Sequence, residues 1–175
     1  MFKKGIALLL ALACTLALGT SFAAESTPSI TFDPATAAFE GTWVPFADDG
    51  FQVYLPTAWS VGEVDETMQA QGVFFYAFAA DASATATFLY NTTEGLTDAD
   101  TLASGLSASG VECVRLSING LDGVGYELKE GTVAAFSFFD AQGGYYTLTF
   151  TPANEEAQQT IGQTILYSAS PLAAE

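Results

Sequence analysis

The sequence predicts an α+β domain in which an antiparallel sheet of about six strands carries a mid-chain helix and a C-terminal helix. Three observations lead there. Short apolar runs alternate with period two and are separated by turn residues, as where Phe51, Val53 and Leu55 face one way and Gln52 and Tyr54 the other. The runs are rich in Phe, Tyr and Val, side chains that suit a pleated surface. Two segments break that period and place apolar residues at helical spacing: 97–110 through Leu102 and Leu106, and 154–168 through Ala157, Ile161 and Ile165.

The N-terminus reads as a secretory signal peptide over residues 1–23. Lys3 and Lys4 precede an apolar run from Ile6 to Leu18, and Ser21 and Ala23 supply the small side chains that signal peptidase requires, so cleavage is expected after Ala23. The run is shorter than the roughly 20 residues of a membrane span. A lipoprotein reading would use Cys14, but Leu12 is bulky where lipoprotein processing favours a small residue, and the apolar run continues past the cysteine. The mature protein is therefore expected to have no membrane attachment unless Cys14 is lipidated. Residues 24–45, with Pro28 and Pro34 and no sustained period, read as a flexible leader ending in a possible edge strand at 41–46. A single domain spans 46–170, and 171–175 form a tail.

Within the domain, residues 46–59 form the most informative stretch. The acidic turn Asp48-Asp49-Gly50 opens the strand, Pro56 ends it, and Trp59 is placed to fold back over its apolar face. A second strand is expected over 59–64, and one or two helical turns over 65–71 closed by Gly72. The continuous apolar run 73–79 and the alternating run 84–91 pair across a hairpin at Asp81-Ala82-Ser83. The mid-chain helix starts at Thr97-Asp98, whose side chains cap exposed amides, and closes at Gly110. Strand 111–118 ends in the turn pair Asn119-Gly120, and strands 124–130, 132–140 and 145–151 complete an antiparallel meander. Acids at Glu155 and Glu156 begin the last helix.

Charge excludes several functions. The chain carries 20 acidic against four basic residues, a net charge of −16, and once the signal peptide leaves only Arg115 and Lys129 remain as cations. Two cations cannot form the footprint that releases counterions from a phosphate backbone, so nucleic acid is excluded as a partner, and docking on anionic lipid is disfavoured for the same reason. Acidity of this kind favours solubility and a monomer. The mature chain has one cysteine, Cys113, and no internal disulfide. The sequence has no histidine, which closes Ser-His and Cys-His hydrolysis because no imidazole takes the nucleophile's proton. Hard-cation sites remain conceivable at the acid clusters Asp48-Asp49 and Asp98-Ala99-Asp100, although neither has the ligand series of a calcium loop and turn formation or capping accounts for them. No cofactor motif is present. The aromatics Trp43, Tyr54 and Trp59 are the candidate binding surface, with core packing as the competing explanation.

The sequence also resembles the Mog1/PsbP-like superfamily. The resemblance rests on Gly50-Phe51-Gln52-Val53-Tyr54-Leu55-Pro56-Thr57-Ala58-Trp59, on Ile118-Asn119-Gly120-Leu121, on Tyr146-Thr147-Leu148-Thr149-Phe150 and on the helix from Asn154. It covers residues 46–170 in element order and implies the same α+β architecture. Members include photosystem extrinsic subunits, a nuclear transport cofactor that binds a small GTPase, and bacterial periplasmic proteins that hold partner segments. The resemblance implies protein binding without catalysis and transfers no functional residue. The resulting expectation is a secreted, non-catalytic binding or accessory module of the bacterial cell envelope, whose partner is an unidentified protein or small ligand. The alternative is a carbohydrate-binding or carbohydrate-active protein using exposed aromatics and paired carboxylates.

Overall fold

The computed structural model describes residues 27–172. The expected signal peptide, Cys14 within it, and residues 173–175 of the expected tail lie outside that span. The principal sheet has eight strands. At one edge, β1 (Ser29–Ile30) runs parallel to β7 (Cys113–Ile118). From there β8 (Leu121–Leu128), β9 (Val133–Phe139) and β10 (Tyr145–Thr151) form the expected meander. Asn119 at φ 50° and Gly120 at φ 89° link β7 to β8, the two positive values that a type I′ turn requires. β10 then pairs with β6 (Thr85–Asn91), β6 with β5 (Val73–Phe78), and β5 with the short edge strand β4 (Ser60–Val61). Between β4 and β5 lies α1 (Glu66–Ala70), capped by Asp65 Oδ1, which accepts the Met68 N–H at 2.8 Å.

The stretch 51–56 lies outside this sheet. β3 (Phe51–Pro56) is the central strand of a second, three-stranded antiparallel sheet, flanked by β2 (Gly41–Phe46) and β11 (Ser170–Pro171). Its alternation sends Phe51, Val53 and Leu55, at 1%, 0% and 3% exposure, against the principal sheet. They meet Phe88, Phe136, Phe138, Leu148 and Phe150 in one apolar cluster. The Phe51 ring lies 5.2 Å from Phe138 and 5.0 Å from Tyr146. Each large side chain buried this way contributes about 1.5–3 kcal/mol. α2 (Ala99–Ala108) packs on the opposite face, setting Ala99 and Leu102 over Val124, Tyr126 and Ala135. α3 (Glu156–Tyr167) shares the first face with the small sheet, burying Ile165 and Leu166 in the main cluster.

Several sequence expectations need correction. The strand count is larger than about six, and the sheet is divided in two. The expected leader supplies β1 and a 3-10 turn at Pro34–Thr36, while the edge strand expected over 41–46 is present as β2. β1 is held by contacts far away in sequence, which local periodicity cannot reveal. Ser117 N–H donates to the Pro28 carbonyl at 2.8 Å, and Phe32 N–H donates to Asn119 Oδ1 at 2.7 Å. The strand expected over 59–64 is reduced to Ser60–Val61, and the strand expected from Val124 begins at Leu121. Pro171, read as the start of a tail, pairs with Phe51.

Two buried details fix how α3 meets the small sheet. Ser168, 0% exposed, accepts the Tyr54 N–H at 2.8 Å and donates to the Ile165 carbonyl at 2.7 Å. Its hydroxyl thus satisfies the β3 amide that lies beyond the two residues of β11. Ser168→Ala is expected to orphan that amide and lower stability by about 1–3 kcal/mol in urea unfolding. Gly162 lies against Phe150, and a Cβ there would overlap the ring. Alanine in place of a helical glycine ordinarily gains up to about 1 kcal/mol. Here overpacking by about 1–3 kcal/mol outweighs that gain, so Gly162→Ala is expected to lower the melting temperature.

Candidate functional site

The aromatics proposed as a binding surface separate in space. Trp43 and Tyr54 are cross-strand partners on the outer side of the small sheet, with ring centroids 5.5 Å apart. Two residues from the N-terminal segment close over them. Phe32 meets Trp43 edge-on at 5.9 Å, and Phe39 stacks on Tyr54 at 5.8 Å. The Tyr54 hydroxyl accepts the Gly41 N–H at 3.0 Å. This is a small satellite core whose sealing members, Phe32 and Phe39, were assigned to a leader from the sequence alone. Trp59 lies elsewhere, stacked on Phe150 at 6.3 Å and packed against the main cluster.

The two acid clusters fall at one end of the molecule. The loops after β2, β6, β7 and β9 all emerge at the end of the principal sheet where Phe51, Asn91, Ile118, Phe139 and Tyr145 lie. Asp48 and Asp49 sit in a 3-10 turn closed by Gly50 at φ 74°. The Tyr146 hydroxyl donates to Asp49 Oδ1 at 2.8 Å. Beside it, at 4.9 Å between ring centroids, Tyr90 donates to Asp140 Oδ2 at 2.8 Å. Asp140 Oδ1 also accepts the N–H groups of Gln142 and Gly144 at 2.8 and 2.9 Å. Asp140 and Tyr90 were not singled out from the sequence, although an aspartate two residues before Gln142 and four before Gly144 is a side-chain turn signal.

Each shift in proton affinity here follows from these contacts. Partial desolvation of Asp140 opposes its ionisation, but the bonds from Tyr90, Gly144 and Gln142 outweigh it and hold the carboxyl below its usual range. Burial, reinforced by Asp49, pushes Tyr146 well above the ordinary tyrosine range. The hydrogen bond to Asp140 raises Tyr90.

Asp98 and Asp100 start α2. Asp98 Oδ1 accepts the Thr101 N–H at 2.8 Å while Thr101 Oγ1 accepts the Asp98 N–H at 3.2 Å, a reciprocal capping box. That backbone bond holds the Asp98 carboxyl below its usual range. Asp100 pairs with Arg115 on β7. Asp98 and Arg115 line a cavity of about 300 Å³ with Thr97, Leu121, Phe138 and Phe139. Arg115 Nε is buried there without a hydrogen-bond partner. Phe138 links this cavity to the tyrosine pair, its ring 5.4 Å from Tyr146. Among the described residues, no group of three acidic, cysteine or histidine side chains is placed to hold a metal ion. Cys113 is half-buried, its Sγ 3.5 Å from the Ala103 carbonyl.

No protein-family model matches the chain, and no curated protein matches its sequence. Its fold is similar to the solution structure of cyanobacterial PsbP (CyanoP) from Synechocystis sp. PCC 6803, with a TM-score of 0.53. The alignment covers 89% of this chain and 99% of that one at 11% identity. The chain therefore has a PsbP-like fold, as the motifs around Gly50, Asn119 and Tyr146 implied. Among the described residues no helix is long and apolar enough to cross a membrane.

Burial of tyrosines sets the alkaline limit of stability. Burial raises Tyr126, and burial with the Glu127 charge pushes Tyr167 up to about 12. Unfolded tyrosines ionise near pH 10. The contribution of these groups is thus complete below about pH 10 and is lost as pH rises through the raised folded values. Urea midpoints are expected to fall steadily above about pH 10, and the fall should be shallower in Tyr146→Phe and Tyr126→Phe than in the parent.

Proposed function

We propose that this chain is an exported, non-catalytic binding or accessory module of the bacterial cell envelope, acting on an unidentified protein or small ligand. The observation that carries the reading is how the acids at the loop end are used. Asp49, Asp98 and Asp140 each accept hydrogen bonds from the protein's own groups, so these three carboxylates at the loop end are already engaged within the fold. The signal-like N-terminus supports export, and the PsbP-like fold is compatible with a role as an accessory chain.

Two measurements test this. Mass spectrometry of the protein exported from a bacterial host should find a mature chain beginning at Ala24, and a chain beginning at lipidated Cys14 would replace the unattached module with an anchored one. The exported protein, crosslinked in envelope extract, should capture a defined partner and should not hydrolyse a glycoside panel. Hydrolysis abolished by changing one specific acid pair would overturn the non-catalytic reading.

A further inference from the structure

We propose that the face of β5, β6 and β10 left uncovered by α2 binds a neutral polysaccharide. Alternation along these strands turns Ala77, Ala86, Phe88, Leu148 and Phe150 into the main core. Tyr76, Phe78, Thr85, Thr87, Thr149 and Thr151 therefore lie on the other face. α2 packs on β7, β8 and β9 and the short helix α1 lies against β5, while α3 and the small sheet occupy the face of the main core. Tyr76, Phe78 and Leu89 join neither apolar cluster, and all are half-buried.

The chemistry of this face is that of a sugar-binding surface. Thr87 stands opposite Thr149 and Thr85 opposite Thr151, making a two-by-two array spaced about 4.8 Å across strands and about 6.8 Å along them. Thr149 Oγ1 donates its proton to the Thr87 carbonyl at 3.0 Å, which leaves its lone pairs free to accept from a ligand hydroxyl. Beside the array the Tyr76 and Phe78 rings lie 5.9 Å apart and inclined by only 26°. Tyr76 is seated on Gly62, where any side chain would overlap its ring. A fixed ring of this kind presents a negative π face, which attracts the weakly positive C–H groups on the flat side of a pyranose.

Charge selects the class of ligand. β5, β6 and β10 contain no Asp, Glu, Lys or Arg, in a chain with 20 acidic residues. A cationic peptide finds no counter-charge on this face, and an anionic glycan must approach a strongly negative molecule. A neutral polyol meets neither obstacle. The inference rests on the reading of the chain as a non-catalytic binding module and gives that module a ligand class.

Affinity electrophoresis of the exported protein in native gels containing xylan, hydroxyethylcellulose or galactomannan, with polygalacturonate as the charged control, tests it. The parent should be retarded by at least one neutral polymer and not by polygalacturonate. Tyr76→Ala should weaken retardation about tenfold. The double variant Thr87→Val/Thr149→Val, which keeps side-chain shape and strand preference, should also lose retardation at an unchanged melting temperature. Should Tyr76→Ala fail to fold, the threonine pair decides. Trp43→Ala, on the separate satellite core, should bind as the parent does. Free migration of the parent in every neutral gel, or equal retardation of parent and valine variant, would overturn the proposal. Free migration of a parent that still captures an envelope protein would overturn the glycan and leave the binding-module reading standing.

Discussion

The structure depends on the docking of one strand, β3, across the face of a sheet to which it does not belong. Among the described residues there is one cysteine, so no disulfide shares the task, and one ion pair, Arg115 with Asp100, which is exposed enough to contribute little. Apolar contact must hold the two sheets together. Phe51 reaches Phe138 and Tyr146, and Phe46 reaches Phe75 and Phe88 at 5.1 and 5.5 Å. Edge-to-face and tilted ring pairs of this kind add about 0.5–1.5 kcal/mol each beyond burial. The loop carrying Asp48 and Asp49 is placed by this docking, because it joins β2 to β3 directly above Phe51. The bond from Tyr146 to Asp49 is thus a consequence of how the sheets pack.

Local chemistry made much of this legible in sequence. The type I′ turn at Asn119-Gly120, the cap at Asp98 and the alternation of Phe51, Val53 and Leu55 all express rules that act within a few residues. The rest depends on distant partners. Nothing near Phe51 says that its neighbours are β2 and β11, since Ser170 and Gln52 meet only when α3 has returned the chain across the sheet. Ile30 is a lone apolar residue in a proline-bearing segment until Ile118 lies beside it. The candidate residues divide in the same way. Asp98 is a capping residue both by sequence and in space, whereas the link from Asp49 to Tyr146 spans 97 positions and has no local signature. Trp43 and Tyr54, expected to share a surface with Trp59, pair with each other and not with it, and the two phenylalanines that seal them lie in a segment without period.

Acidity and site chemistry are separate matters here. A chain with a net charge of −16 meets many chance encounters between carboxylates, and a close pair would raise one partner's proton affinity. The opposite is found at Asp98 and Asp140, whose carboxyls are held below their usual range by donors from the backbone and from a tyrosine. Asp81, Asp98 and Asp140 lie in separate loops, each stabilised as an anion by its own turn or cap, whereas burial raises Glu127 on β8.

The principal sheet is thereby divided into three environments, and a chain of hydroxyls marks one of their borders. On the side away from the small sheet, α2 covers Val124, Tyr126 and Ala135. From there Tyr126 reaches Ser137 at 3.1 Å, and Ser137 reaches Thr147 at 2.7 Å. These three polar groups are buried but satisfy one another, so the apolar layer beneath α2 can end without orphaned donors. Past Thr147 the same face continues as Thr149, Thr87 and Tyr76, where apolar burial gives way to hydroxyls and a flat ring. Threonine at those positions has the shape and strand preference of valine but adds a hydroxyl, and that of Thr149 donates to the Thr87 carbonyl at 3.0 Å. β6 and β10 therefore place Thr85, Thr87, Thr149 and Thr151 with Leu89 on this face, while their alternate residues close the core.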